Sequence, residues 1–217
     1  MCVNTEIKGV CNMEEIKDFL RSRTVVNLTI VAANILVFLI LEMGGNTNDV
    51  EYMLMHGASY APWIQEYGEY YRLFTCMFLH FGIEHLFNNM LVLIFLGDTL
   101  ERTIGKWKYL LLYLAGGVGA SLISYGLELR SGDYAASAGA SGAIFAVVGA
   151  LLYIVIVNKG RLEDITGRRL LLMAGLTIFQ GFTTIGVDNA AHIGGLVCGF
   201  LLGVILYRRP REVQYQS

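Results

Sequence analysis

Apolar residues in this chain gather into six blocks, which charged or turn-rich segments separate. Each block is close to the length of about 20 residues that a helix needs to cross roughly 30 Å of hydrocarbon. The blocks span residues 25–43, 83–100, 107–127, 139–157, 170–185 and 189–207. They are continuous apolar runs with Gly and Ala, whereas a transmembrane strand alternates in polarity over about ten residues, so the pattern favours helices.

The composition supports a membrane location, since 55% of the 217 residues are hydrophobic, 16% are charged and the mean hydropathy is +0.54. A soluble domain of this size is ordinarily less apolar. We therefore predict an all-α membrane protein, a six-transmembrane-helix bundle that forms one domain over residues 24–208, with short segments at 1–23 and 209–217. The first 20 residues contain charged side chains and no long apolar core, so we expect no cleavable signal and a retained first span.

Lysine and arginine predict the orientation of the bundle, because cytoplasmic loops carry more of them. They cluster before the first span and after the second, fourth and sixth, at Arg21, Arg23, Arg102, Lys106, Lys108, Lys159, Arg161, Arg168, Arg169, Arg208, Arg209 and Arg211. The opposite side receives only Arg72 and Arg130. Both termini should therefore be cytoplasmic, and the long loop over residues 44–82 should face outward. That loop is rich in Tyr, Trp and Phe, which favour the headgroup region, so part of it should lie in the membrane interface.

Two further features exclude classes of function. The net charge is −2 and the basic residues follow membrane orientation instead of forming a separate face, which argues against a nucleic-acid partner. The four cysteines are scattered without metal-like spacing, at Cys2, Cys11, Cys76 and Cys198. We therefore expect neither a disulfide nor a metal site.

A serine and a histidine open the fourth and sixth blocks. Ser141 stands in Gly139-Ala140-Ser141-Gly142, where a packing role for a small residue is the plain alternative. On the sixth block, His192 shares one helix face with a stripe of small residues, Gly195, Gly199 and Gly203. A matching stripe, Gly142, Ala146 and Gly149, would let the two helices approach closely. His192 would then reach the Ser141 hydroxyl and act as its general base.

Other polar residues near these blocks are candidates for supporting roles. His85 and Asn89 are one helical turn apart and could both donate to a developing oxyanion beside the Ser141 backbone amide, although hydrogen bonding between helices is the alternative for each. His80, just before that block, more readily fixes the loop. Asp188 precedes His192 by one turn and either orients its ring or begins the helix.

Three motifs combine these residues in a known order. They are GxSG at Gly139–Gly142, HxxxxHxxxN over His80, His85 and Asn89, and AHxxGxxxG over Ala191, His192, Gly195 and Gly199. The set closely resembles the rhomboid intramembrane proteases in their six-helix form, over residues 25–207. The chain departs from the family pattern at Tyr71, where Trp is usual, and at Phe145, where many members have a Tyr that stacks on the histidine.

The resemblance implies a function and assigns roles. Ser141 would be the nucleophile, His192 the general base and acid, and His85, Asn89 and the Ser141 amide the oxyanion donors. His80, Phe145 and Gly139 would be accessory, and Gly195, Gly199 and Gly203 would pack helices. The expected reaction is peptide-bond hydrolysis in or beside the transmembrane helices of other proteins, without a cofactor.

The partners implied are transmembrane protein substrates and the lipid bilayer, and the location is a bacterial plasma membrane. Three alternatives stay open: a non-catalytic rhomboid-like binder of membrane proteins, a small transporter, and a serine–histidine lipid acyltransferase. The binder would be marked by loss of Ser141 or His192, and both are present. The transporter would be marked by internal repeats, which the sequence does not show.

Overall fold

The structure is a computed structural model that describes Asp18 and residues 23–162, 165–183 and 187–209. Ten α-helices are assigned within these ranges: α1 (Val25–Gly44), α2 (Val50–Met55), α3 (Ala61–Tyr67), α4 (Arg72–Thr75), α5 (Gly82–Val92), α6 (Asp98–Ile104), α7 (Lys106–Ser131), α8 (Ser141–Val157), α9 (Gly167–Thr183) and α10 (Asn189–Leu206). A 3-10 turn covers Cys76–Phe78, and a π-helical turn, Leu93–Gly97, joins α5 to α6. The all-α bundle is therefore confirmed.

The helices follow the predicted blocks closely. The second block is the continuous run of α5, the π-helical turn and α6, and the other blocks correspond to α1, α7, α8, α9 and α10. Residues 184 and 185, at the end of the fifth block, lie outside the described residues, as do residues 1–17, 19–22, 163–164, 186 and 210–217. A two-stranded antiparallel hairpin between α8 and α9, Arg161–Leu162 with Ile165–Thr166, was not predicted.

Three of the described helices, α1, α7 and α10, are each long and apolar enough to cross a membrane, with mean hydropathies of 2.3, 1.6 and 1.8. The runs Arg72–Phe78 and Gly82–Ile104 are long and apolar enough to cross a membrane when they are taken together, and they meet at a bend of 87°. α8 is shorter, and most of its residues are buried because α7, α9 and α10 pack around it.

The outer faces of the bundle are apolar. α1 and α10 expose large hydrophobic side chains, among them Leu36, Leu39, Ile40, Val197, Leu201 and Ile205. In water such faces would be driven inward, whereas hydrocarbon solvates them at little cost. The chain is therefore a multi-pass integral membrane protein.

Contacts place the basic segments at one end of the bundle. The Arg23 guanidinium forms an ion pair with Asp98 at 3.2 Å, before α1 and at the start of α6. Lys108 Nζ donates to the carbonyl of Leu206, at the end of α10, at 3.0 Å. Arg209 Nη1 donates to the carbonyl of Val157, at the end of α8, at 3.4 Å. The segments that were predicted to share one side of the membrane therefore meet in space.

Carboxylates from α6 cap the first span at this end. The Asp98 carboxylate accepts from the Thr24 amide at 2.7 Å. The two Glu101 oxygens accept from the amides of Val26 and Asn27 at 3.2 and 2.7 Å. These amides belong to the start of a helix, where no carbonyl of the preceding turn is available, so the carboxylates satisfy them and complement the helix dipole.

The π-helical turn is part of the same junction. Asn27 Nδ2 donates to the carbonyl of Leu93, where the turn begins, at 3.0 Å, and Tyr109 Oη donates to Asn27 Oδ1 at 2.7 Å. A Cβ at Gly97 would stand 2.6 Å from the Tyr109 hydroxyl and would also overlap Asn27. Asn27 and Tyr109 therefore satisfy each other's hydrogen-bonding groups, and Asn27 also satisfies a carbonyl of the π-helical turn.

The long loop over residues 44–82 is folded, which its aromatic content alone did not indicate. Asp49 caps α2 by accepting from the Tyr52 amide at 2.9 Å, and Pro62 lies in the first turn of α3. Both are start signals that are legible in the sequence.

Arg72 holds this loop together from a buried position. Its Nη1 donates to the carbonyls of Leu54 and Ala58 at 2.6 and 2.8 Å, and Glu69 accepts from its Nε. The guanidinium also lies 4.7 Å from the ring centroid of Trp63 on α3. The Tyr71 ring centroid lies 5.4 Å from the same guanidinium, so aromatic rings from two places in the loop contact Arg72.

Candidate active site

Ser141 is the first residue of α8, and the chain reaches it through a conformation that requires glycine. Gly139 has φ +143°, which side-chain-bearing residues rarely adopt. Ala140 precedes the helix without a side-chain cap. The Ser141 amide therefore belongs to the first turn of a helix, where N–H groups have no intrahelical acceptor and the helix dipole favours negative charge.

His192 lies beside that hydroxyl. It is the fourth residue of α10 and is 3% exposed, and its Nε2 is 2.9 Å from Ser141 Oγ. The Phe145 ring lies parallel to the imidazole, with centroids 4.4 Å apart and planes at 11°. The structure thus brings together the two residues that the motifs singled out, and an aromatic face fixes the plane of the histidine.

The small-residue stripes bring α8 and α10 into backbone contact. A Cβ on Gly195 would overlap the carbonyl oxygen of Gly142, and one on Gly199 would overlap the backbone of Ala146. One on Gly203 would stand 3.1 Å from Ala150 Cα. At Gly195 and Gly199 only glycine permits this separation, which brings the starts of the two helices, with Ser141 and His192, close together.

Asp188 does not orient the imidazole ring. Its carboxylate caps α10 by accepting from the Ala191 amide at 2.8 Å, and it also accepts from the hydroxyls of Ser124 and Ser137. His192 Nδ1 has no hydrogen-bond partner among the described residues. Of the two roles considered for Asp188, the structure therefore shows the one at the helix start.

His85 lies beside the serine, and Asn89 follows it by one helical turn on α5. A Cβ built on Gly139 would stand 2.8 Å from His85 Cε1, 2.9 Å from its Nε2 and 3.6 Å from Ser141 Oγ, so the imidazole lies across Gly139 from the serine. Asn89 is 8% exposed, and its Nδ2 donates to no acceptor in the described part of the chain. A buried amide without an acceptor is uncommon and is consistent with a donor held for a ligand.

His80 fixes the segment before the serine. It is fully buried, and its Nε2 accepts from the Ala140 amide at 3.3 Å. This bond requires Nε2 to be unprotonated. The ring also contacts His85 edge to face, with centroids 5.2 Å apart. His80 therefore lies behind the segment that leads to Ser141 and contacts His85, a candidate oxyanion donor.

No group of three or more potential metal ligands occurs in the ranges that the structure describes. Cys76 is buried against the Ser121 hydroxyl at 3.4 Å, and Cys198 packs against Gly119; both are free thiols. Cys2 and Cys11 lie outside the described residues.

Ser137 and Ser124 were missed in the sequence, and both bind Asp188 in the structure. A partial signal existed for Ser137. It precedes Ser141 by four residues, as Asp188 precedes His192 by four.

The fold and the site together define a polytopic membrane protein in which a serine hydroxyl is hydrogen-bonded to a buried histidine. The chain belongs to the rhomboid family, because its residues 67–209 match the Rhomboid domain. It is 37% identical to the rhomboid protease GluP of Bacillus subtilis (strain 168) over 176 residues, which are 81% of this chain and 34% of that protein.

Similarity extends to plant and other bacterial members. The chain is 42% identical to RHOMBOID-like protein 4 of Arabidopsis thaliana over 144 residues, 65% of this chain and 35% of that protein. It is 33% identical to the rhomboid protease AarA of Providencia stuartii over 168 residues, 68% of this chain and 59% of that protein. The chain thus spans between about one third and three fifths of the length of these relatives.

Proposed function

We propose that this chain is an intramembrane serine endopeptidase that hydrolyses peptide bonds in or near transmembrane helices of other membrane proteins. The observation that carries the proposal is the 2.9 Å hydrogen bond between Ser141 Oγ and His192 Nε2, at the start of two helices in glycine-mediated contact. A serine hydroxyl has too high a pKa to attack a peptide unaided, so an adjacent base is what this chemistry requires.

Acylation begins with proton transfer from Ser141 Oγ to His192 Nε2, while Oγ forms a bond to the substrate carbonyl carbon. The carbonyl oxygen becomes an oxyanion, and the histidine becomes an imidazolium. Phe145, parallel to the ring at 4.4 Å, keeps the imidazole in plane through this change. Nothing in the described chain orients Nδ1, so the mechanism uses two residues instead of a triad.

Three donors can stabilise the oxyanion. They are the Ser141 backbone amide, the imidazole of His85 and the amide of Asn89. Donors that are already in place need no reorganisation as charge develops, and each such donor can supply roughly 3 kcal/mol to the transition state.

The intermediate collapses when the C–N bond breaks and the imidazolium returns its proton to the leaving amine. A water molecule then attacks the acyl-enzyme on Ser141, with His192 as its base, and releases the carboxylic acid and the free serine. The overall reaction consumes one water for each peptide bond and requires no cofactor.

The relatives support the class of reaction, since GluP and AarA are named as proteases. The meeting of the basic segments at one end of the bundle supports a cytoplasmic position for both described ends. We place the protein in a bacterial plasma membrane with the Ser137 end outward. Substrates would be transmembrane proteins.

Labelling with a fluorophosphonate tests the nucleophile directly. The purified full chain in detergent is treated with the probe, and the modified residue is mapped by mass spectrometry. We expect a single adduct on Ser141, and no adduct in Ser141→Ala or His192→Ala. Robust labelling of His192→Ala, or modification at another residue, would overturn the assignment.

The substrate class requires a second measurement. The chain is reconstituted in liposomes with a transmembrane reporter protein, and both peptide and lipid products are analysed. We expect two protein fragments that are absent with Ser141→Ala. Labelling of Ser141 together with transfer or release of acyl chains, and an intact reporter, would indicate a lipid acyltransferase instead.

A further inference from the structure

Resting on the proposed function, we propose that Ser137 and Asp188 are positioning residues, which hold Ser141 and His192 in register through one hydrogen bond outside the catalytic pair. Ser137 Oγ donates to Asp188 Oδ2 at 2.9 Å. Ser137 stands four residues before Ser141, and Asp188 stands four residues before His192. The bond therefore joins the segment that leads into α8 to the residue that begins α10.

The Ser137 segment is fixed on its other sides. Ser137 and Ser59 form an antiparallel bridge with backbone hydrogen bonds of 2.8 and 2.9 Å, which ties it to the outer loop. The Gly139 amide donates to the Cys76 carbonyl at 2.9 Å, and the Ala140 amide donates to His80. These contacts fix the path to Ser141 relative to the outer loop and the start of α5, but none of them reaches the helix that carries His192.

Asp188 makes that connection. One carboxylate oxygen caps α10 at the Ala191 amide, and the His192 amide bonds to the Asp188 carbonyl at 3.1 Å, so the first turn of the helix is held by this residue. The other oxygen accepts from Ser137 and, at 2.6 Å, from Ser124 on α7. Asp188 thus acts through the backbone on which His192 stands.

The catalytic hydrogen bond lies between two fixed points. On its inner side, Gly195 touches the carbonyl of Gly142, which sets the separation of the helices. On its outer side, the Ser137–Asp188 bond resists sliding or rotation of one helix start against the other. Without the outer point, the chain before Ser141 could shift relative to α10 while the helices stay packed, and a displacement near 1 Å at reacting atoms can cost about 100-fold in rate.

Two serines that donate to the same carboxylate oxygen provide a matched pair for the test. Ser137→Ala removes the link to the Ser141 segment, whereas Ser124→Ala removes a link to α7 alone. For each variant of the full chain we would measure the fluorophosphonate labelling rate, kcat and KM on the transmembrane reporter, and the melting temperature. We expect Ser137→Ala to lower the labelling rate and kcat roughly tenfold or more with KM unchanged. Ser124→Ala should stay within about twofold in both rates, even where its melting temperature falls.

Substitutions at Asp188 test the same hydrogen bond from its acceptor side. In Asp188→Asn the amide oxygen can still cap the Ala191 amide, and Nδ2 can donate to the Ser137 hydroxyl in place of the carboxylate oxygen that accepted from it, so a bond to Ser137 is kept and most of the rate should be retained. Asp188→Ala removes both and should be at least as slow as Ser137→Ala. In Asp188→Ala the further change Ser137→Ala should add little, because the bond is already absent.

The outcomes separate this inference from the proposed function. If the unmodified chain neither labels at Ser141 nor cleaves the reporter, the proposed function fails. If it does both, and Ser137→Ala matches Ser124→Ala in labelling rate and kcat, only the positioning role is refuted. Equal slowing by the two serine variants, in proportion to their loss of melting temperature, would likewise show a structural role alone.

Discussion

The Phe145 ring lies parallel to the His192 imidazole, with 4.4 Å between centroids and 11° between planes. Phe145 is one turn after Ser141 on α8, so the helix that carries Ser141 also contacts the His192 imidazole. The hydroxyl that many family members carry at this position is absent, and the stacking geometry does not require it.

Loss of this ring should affect the rate more than removal of other core side chains does. Phe145→Ala is expected to destabilise the fold by roughly 3 kcal/mol and to lower kcat per folded molecule roughly tenfold, because His192 loses the surface that fixes its plane. Phe145→Tyr keeps that surface and should cleave the transmembrane reporter at nearly the unmodified rate. A normal kcat for the Ala variant, corrected for its folded fraction, would show that stacking is dispensable.

Substitution of Asn89 distinguishes a role as an oxyanion donor from a role in helix packing. On the proposed function, Asn89→Ala should lower kcat by roughly 100- to 1000-fold with little change in KM, because an oxyanion donor acts on charge that exists only in the transition state. The adjacent Asn88, which is exposed, provides the control, and Asn88→Ala should leave kcat unchanged. A normal rate for Asn89→Ala, with a stability loss near the roughly 0.6 kcal/mol typical of hydrogen bonds between membrane helices, would refute the oxyanion role.

Substitution of Gly199 tests the contact between α8 and α10, the helices that carry Ser141 and His192. Gly199→Ala should lower the melting temperature in detergent, since its Cβ would overlap the Ala146 backbone and force the helices apart at a cost on the order of 1–3 kcal/mol. Gly126, a helical glycine of α7 with open space around its Cβ, is the control. Gly126→Ala should be neutral or stabilising by up to about 1 kcal/mol. If the two variants melt alike, α8 and α10 are not in the contact described.

Glu101 should matter for stability and not for turnover. Its two oxygens accept from two amides of the first turn of α1, at the end of the bundle remote from Ser137. Glu101→Gln keeps one acceptor and Glu101→Ala keeps none, so the free energy of unfolding should fall by about 1–3 kcal/mol for each unsatisfied amide. The melting temperature should therefore be lower for Glu101→Ala than for Glu101→Gln. Glu51→Ala, at an exposed position, serves as the reference. A reduced kcat per folded molecule in either Glu101 variant would contradict this assignment.

The sequence predicted the helices well because long apolar runs have few alternatives in a bilayer. The glycine and alanine spacing on α8 and α10 also predicted which faces meet, since backbone contact requires small residues at one-turn intervals. With the motifs, this was enough to select Ser141, His192, His85 and Asn89 as the candidate site.

Apolar runs, small-residue spacing and motifs did not predict the polar contacts between distant segments. The role of Arg72 depends on carbonyls that the folding of the outer loop brings together, and hydropathy carries no information on such polar bonds. The π-helical turn at Leu93 depends on Asn27, whose partner is 66 residues away in the chain. The sequence allowed two roles for Asp188, and only the folded structure shows that its carboxylate accepts from the Ala191 amide, Ser137 and Ser124 while His192 Nδ1 has no partner among the described residues.

The glycine contacts between α8 and α10 restrict how these two helices can move. Glycine offers no side chain that could rotate to fill a gap, so separating these helices would remove their contacts all at once and leave a void along their length. The pair of helices should therefore move as a rigid unit. On the proposed function, Ser141 is hydrogen-bonded to its base whether or not a substrate is present. Cleavage would then be controlled by the elements that govern substrate entry.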